Sequence, residues 1–181
     1  MIAHGLTGLR LLLVVPTALA FADPSLWPAW YLALFIVVAI ASDVLDGVMA
    51  RRQGTASAAG QLFDHGTDCL FVAAALAGAA HAGLVTWLLP PLVLVAFGQY
   101  VLDSRLLHRE RQLRGSFIGR WNGVLYFVPL VVLAASRLET FAPLETLLLE
   151  TGRWMAWLLV ASTLLSILDR AVAPLRQGAT G

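Results

Sequence analysis

Residues 42–71 read "SDVLDGVMARRQGTASAAGQLFDHGTDCLF" and hold four aspartates, Asp43, Asp46, Asp64 and Asp68. The chain around them is almost entirely apolar. Of its 181 residues, 59% are hydrophobic and only 13% are charged. Soluble domains carry about 25% charged residues, and a chain this short has no core large enough to hide so much apolar surface. Lipid is the solvent that this composition fits. All 12 basic residues are arginine and the formal net charge is +1, which speaks against a nucleic-acid partner. Cys69 is the single cysteine, so no intrachain disulfide can form.

The expected fold is an all-α integral membrane protein, one domain over residues 1–181, with six transmembrane helices. A span needs about 20 mostly apolar residues. Spans fall near 6–22, 29–49, 64–82, 85–104, 121–137 and 154–172. No Asp, Glu, Lys or Arg occurs in the 34 residues from Cys69 to Leu102, which is room for two spans and a turn near His81–Gly83. Pro90 and Pro91 are expected to kink the fourth span. The N-terminal "MIAHGLTGLRLLLVVPTALAFA" also has the layout of a signal peptide, with Ala20-Phe21-Ala22 as its cleavage-like site. Five further spans favour reading it as a retained first span.

Arginine asymmetry sets the orientation. Six spans leave Arg10, Arg51, Arg52, Arg105, Arg109, Arg111, Arg114, Arg120, Arg170 and Arg176 on one side, and only Arg137 and Arg153 on the other. Both termini and the aspartate-rich segment are therefore expected in the cytoplasm, with the chain a multi-pass protein of the cell (inner) membrane. Trp27, Trp30, Trp87, Trp154 and Trp157 fall near the opposite face, where an aromatic belt sits, and Trp121 marks the inner face.

Asp43, Asp46, Gly47 and Ala50 are spaced i, i+3, i+4, i+7, one helical stripe at the end of the second span. Gly60, Asp64 and Asp68 are spaced i, i+4, i+8, a second stripe at the start of the third. The polar "RRQGTASAA" between them reads as a short turn. Two antiparallel helices would then turn four carboxylates toward each other at one end of the membrane. Carboxylates packed this way repel and take up protons unless a cation sits among them. Hard divalent ions suit such oxygens, and Mg²⁺ binds through a few carboxylates plus substrate phosphates. Paired metals bridged by aspartate support phosphoryl chemistry. The alternatives are interfacial charges paired with arginines, and a carboxylate-based cation or proton transporter. Transporter sites lie near the midplane, whereas these acids cluster at one end.

Written with its gaps, the segment is D-x2-D-G-x2-A-R-x8-G-x3-D-x3-D. It resembles the signature of the CDP-alcohol phosphotransferase family at all eight positions. With each residue type near 7%, chance yields on the order of 10⁻⁹ per start position. The resemblance implies a six-span membrane enzyme, commonly a homodimer, that moves a substituted phosphate from a CDP-alcohol to a second alcohol and releases CMP. It implies two divalent metals, Mg²⁺ or Mn²⁺, held by Asp43, Asp46, Asp64 and Asp68, with Asp68 also the general base. It implies a cytidine diphosphate site lined by Gly47, Ala50, Arg51 and Gly60, with Ser57, then Thr55, as hydroxyl contacts. The N-terminal "HGLTGLR" is similar to the family's N-x-x-T-x-x-R element, matching at Thr7 and Arg10, which the resemblance implies as substrate-binding residues, while His4 replaces Asn. Thr7 could equally cap the first helix.

The expected donor is CDP-diacylglycerol and the first acceptor glycerol 3-phosphate, with inositol phosphate, inositol, serine or another CDP-alcohol donor left open. The loop "DSRLLHRERQLRGSFIGR" offers Arg105, Arg109 and Arg120 for an acceptor phosphate. The positive-inside rule alone also accounts for its arginines. Phosphatidylglycerophosphate synthases carry Lys-rich G-K-x-K-T-like text here, and this chain has "GSFIGRWNG" instead. His65 and His108 lack partners at zinc-ligand spacing. Cys69 reads as a packing residue, and Gln99, Tyr100 and Asp103 stand where they could line a cavity.

Overall fold

The computed structural model describes residues 2–53, 58–102 and 117–178, with side chains over 5–46, 60–102 and 121–171. The described residues form helices and turns. The helices are α1 (Ile2–Ala22), α2 (Ala29–Gln53), α3 (Ala58–His81), α4 (Leu89–Leu102), α5 (Phe117–Leu125), α6 (Phe127–Ala135) and α7 (Glu145–Gly178), with a 3₁₀ segment at Glu139–Leu144. Three stretches are long and apolar enough to cross a membrane: Gly5–Ala22, Ala29–Asp46 and Glu139–Ala171. Leu89–Leu102 and Trp121–Ala135 are shorter apolar helices.

Several boundaries differ from the expected spans, and those around α4 and within the fifth rod have a backbone cause. Pro90 and Pro91 do not kink α4. They sit in its first turn, where a missing N–H breaks no helical bond. The chain from Leu84 to Leu88 is turn, and Gly83 takes φ 72°, the left-handed conformation that lets α3 end and the chain reverse. The fifth rod is broken into α5 and α6 at Tyr126. Pro129 has no N–H to offer the Leu125 carbonyl four residues earlier, so the ladder loosens there while Tyr126 stays helical in dihedral (φ −62°, ψ −24°). The last helix runs far beyond residues 154–172, starting at Glu145.

The rods close into a ring. α1 packs on α2 and α3, α3 on α4, α4 on α7, α7 on α5 and α6, and α6 back on α2. The described connections between α1 and α2 and between α3 and α4 are short and make those neighbours antiparallel. Both described chain ends lie at the end of the ring that holds the aspartates, and Trp27, Trp30 and Trp87 lie at the other. Phe71 stacks on Phe127 at 6.0 Å inside the ring, with Leu76, Leu89, Leu130 and Leu133 fully buried around them. Leu12, Val15, Val37, Leu158 and Leu165 point outward and stay exposed, as side chains meant for lipid do.

Polar side chains tie the rods where hydrophobicity supplies no specificity. Tyr126 and Thr163 share a hydrogen bond at 2.7 Å. Ser162 Oγ donates to Asn122 Oδ1 at 2.7 Å, and Gln99 Nε2 donates to the Ile167 carbonyl at 3.1 Å. Arg137, one of two arginines assigned to the arginine-poor side, donates to the Ala20 and Phe21 carbonyls. It closes the open C-terminal end of α1. Arg153 pairs only with Glu150 one turn away, and both are half exposed, a pair worth little. Asp23 outside the helices accepts from the Ser25 hydroxyl and backbone N–H, which hold its carboxyl below the usual range.

α1 and α3 approach each other closely at Gly78. A Cβ there would collide with the Ala18 carbonyl oxygen, a backbone atom that cannot step aside. At Gly152, by contrast, the obstacle is the flexible end of Leu133, at 2.7 Å. Gly78→Ala should therefore lower thermal stability in detergent by about 1–3 kcal/mol, and Gly152→Ala by clearly less. Melting curves of both variants check the ranking.

Candidate active site

α1 supplies the element that joins the two aspartate stripes. The i, i+3 spacing of Thr7 and Arg10 puts both on one face of α1, and both are buried. Helix α1 begins at Ile2, so Thr7 lies in its interior and is not an N-cap. Its hydroxyl instead donates to Asp46 Oδ2 at 3.0 Å. Arg10 is fully buried, and its guanidinium reaches all four aspartates. Nη1 donates to Asp64 Oδ1 at 3.2 Å and contacts Asp68 Oδ1. Nη2 stands 3.5 Å from Asp43 Oδ1 and 3.6 Å from Asp46 Oδ2. Nε donates to Ser42 Oγ at 3.4 Å, and Ser42 in turn donates to the Ala39 carbonyl.

The carboxylates thus converge as their spacing predicts, but through α1. Among the described residues α2 and α3 make little direct contact, and each packs on α1. The site is graded in exposure. The Asp43 side chain keeps 43% of its exposure, Asp64 and Asp68 keep 24% and 21%, and Asp46 keeps 6%. Asp43 lies at the open side and Asp46 at the floor.

Three observations bear on whether a metal fits. Among the described residues Asp46 Oδ1 is buried without a hydrogen-bond partner. Asp64, His65 and Asp68 bring one ligand atom each within 4.8 Å of one another, so this group could hold a metal ion. The oxygen-rich donor set matches hard divalent cations. His65 was set aside when zinc spacing was the only test. Its rotamer, rather than its place next to Asp64, brings its ring beside the two carboxylates. Ser42 was also passed over, and the signal was available in its i+4 relation to Asp46.

The remaining predicted residues divide by position. Gly60 lies on α3 one turn before Asp64. Gly47, Ala50 and Arg51 lie on α2, beyond the described side chains, and Ser57 lies outside the described residues. So do Arg105, Arg109 and Asp103, while Arg120 is described only as backbone of α5. Gln99 is bound to α7, and Tyr100 lies under the Arg170 guanidinium at 5.1 Å. Cys69 Sγ faces the Val93 carbonyl at 3.9 Å, a packing contact.

The CDP-alcohol phosphatidyltransferase family model matches residues 1–170, and the chain belongs to that family. Over 119 residues it is 32% identical to the CDP-diacylglycerol–glycerol-3-phosphate 3-phosphatidyltransferase of Yersinia enterocolitica, covering 65% of each protein. Over 50 residues it is 46% identical to an uncharacterized CDP-alcohol phosphatidyltransferase class-I family protein of Schizosaccharomyces pombe. That match covers 27% of this chain and 12% of the yeast protein. The chain thus spans less than two thirds of either relative. No solved structure gives a significant match.

Thr7→Val removes the hydroxyl that donates to Asp46 and keeps the side-chain volume. The loss should cost about 1–3 kcal/mol of stability, whereas Thr7→Ser should stay close to the parent. Thermal melts of the two variants in detergent distinguish a hydrogen-bonding role from simple packing.

Proposed function

We propose that the chain moves the phosphatidyl group of CDP-diacylglycerol onto the hydroxyl of a small alcohol and releases CMP, with glycerol 3-phosphate the first acceptor. The observation that carries this reading is the convergence of Asp43, Asp46, Asp64 and Asp68 on one point at one end of the helix ring. Family membership and the name of the Yersinia relative support the donor and acceptor. Asp43 and Asp46 close the candidate span Ala29–Asp46, whereas an ion pathway would place its acids near the midplane.

Asp43, Asp46, Asp64 and Asp68 would hold two divalent cations, Mg²⁺ or Mn²⁺, whose charge would offset that of the diphosphate and of the departing CMP. Asp68 takes the proton of the acceptor hydroxyl as its oxygen attacks the phosphatidyl phosphorus. The phosphorus–oxygen bond to CMP breaks, and CMP leaves with the bridging oxygen. Gly47, Ala50 and Gly60, on the same stripes as the acids, leave room for the cytidine diphosphate, with Ser57 as a hydroxyl contact. Arg51 forks onto a phosphate. Arg105, Arg109 and Arg120 are assigned to an acceptor phosphate. We place the site at the cytoplasmic face of the inner membrane, in a six-span homodimer with both termini cytoplasmic.

Purified protein in detergent with Mg²⁺ and CDP-diacylglycerol should release CMP with glycerol 3-phosphate, and not with inositol phosphate, inositol or serine. Release with one of the others reassigns the acceptor. Silence with all of them rejects the donor. Asp68→Asn should lower turnover by about 10²–10⁴-fold while the protein remains folded. Near-normal turnover would remove Asp68 as the base.

A further inference from the structure

We propose that Arg10 is an exchangeable counter-ion. Its guanidinium holds the four aspartates together while no divalent cation is bound, cedes them when cations enter, and is thereby released toward the donor's phosphates. This rests on the metal assignment made above.

The geometry supplies the reasons. Arg10 is fully buried and stands at ion-pair distance from every aspartate of the cluster. A buried guanidinium is costly to keep unless it is paired and hydrogen-bonded. Here the pairing is incomplete. Among the described residues Nη2 makes no hydrogen bond although two carboxylates lie 3.5 and 3.6 Å away, and Asp46 Oδ1 is buried without a hydrogen-bond partner. Among the described residues a single guanidinium faces four carboxyl groups. The cluster therefore retains an unmet demand for cations.

Nη1 is bound to Asp64 and Asp68, the two carboxylates that with His65 form the described metal-competent group. A cation drawing on that group competes with the guanidinium for the same carboxylates. Repulsion between the two cations adds to the competition. Binding of one then weakens the other, and by linkage the effect is reciprocal. The side chain displaced is the one best shaped to fork onto a phosphate. Metal loading would thus present a phosphate-binding arginine only when the ions that the phosphates need are in place.

The test is direct Mn²⁺ binding to the full chain in detergent, without nucleotide, followed by electron paramagnetic resonance. Arg10→Gln should bind Mn²⁺ at least tenfold more tightly than the parent. Its melting temperature should fall in EDTA and recover with Mn²⁺, whereas the parent should depend far less on the ion. Equal or weaker Mn²⁺ affinity in Arg10→Gln overturns the exchange while leaving the metal assignment standing. Mn²⁺ binding to neither protein overturns both. If Arg10→Gln folds only in Mn²⁺, the proposal is supported. If it folds in neither condition, Arg10→Lys decides. A single ammonium cannot reach two pairs of carboxylates at once, so its Mn²⁺ affinity should rise several-fold, and no rise rejects the idea.

Discussion

The guanidinium of Arg10, enclosed by Asp43, Asp46, Asp64 and Asp68, is the interaction on which the arrangement of the first three helices depends. Four carboxylates on two helices would push those helices apart. A cation delivered from a third helix lets them converge. That is why α1 stands between α2 and α3, and why its polar face carries Thr7 and Arg10 one turn apart. Further along the same helix pair the constraint is steric. Gly78 lets the α3 backbone come up against Ala18, and this close approach sets the separation that Arg10 must bridge.

The rest of the ring is built with weaker and more local devices. Proline, where the helical ladder has no bond to lose, starts α4. Proline inside the fifth rod, at Pro129, leaves the Leu125 carbonyl without its helical N–H and parts α5 from α6. Hydroxyl and amide side chains then register the last helix against its neighbours, with Thr163, Ser162 and the Ile167 carbonyl meeting Tyr126, Asn122 and Gln99. Because lipid is as apolar as leucine, such polar contacts and small-residue approaches specify the packing. The two ends of the ring are consequently unlike. One is held by a charge cluster open to water on the Asp43 side. The other is closed by Arg137 on the last carbonyls of α1.

Much of the site was legible in the residues themselves. Helical periodicity alone puts Asp43 with Asp46 and Asp64 with Asp68 on single faces, and it does the same for Thr7 with Arg10. A fixed 3.6-residue repeat makes these statements local and independent of packing. The family resemblance rests on the same spacing. Arg10 was assigned to substrate by that resemblance. Nothing local says that it would reach four aspartates 33 to 58 positions away. His65 was overlooked for a related reason. Adjacent helical residues diverge by about 100°, and only the actual rotamers bring its ring to the Asp64–Asp68 side.

Composition and spacing thus determined that the chain is helical and suited to lipid, that its acids form two stripes, and that these belong to a phosphoryl-transfer signature. These are properties of single helices, and each helix satisfies its own backbone hydrogen bonds. The tertiary structure decided which helix lies between the stripes and which cation meets them. It also decided where the ladder yields to proline and which carboxylate is floor and which is mouth. Those outcomes depend on contacts between residues distant in sequence, where sterics at Gly78 and charge at Arg10 act together.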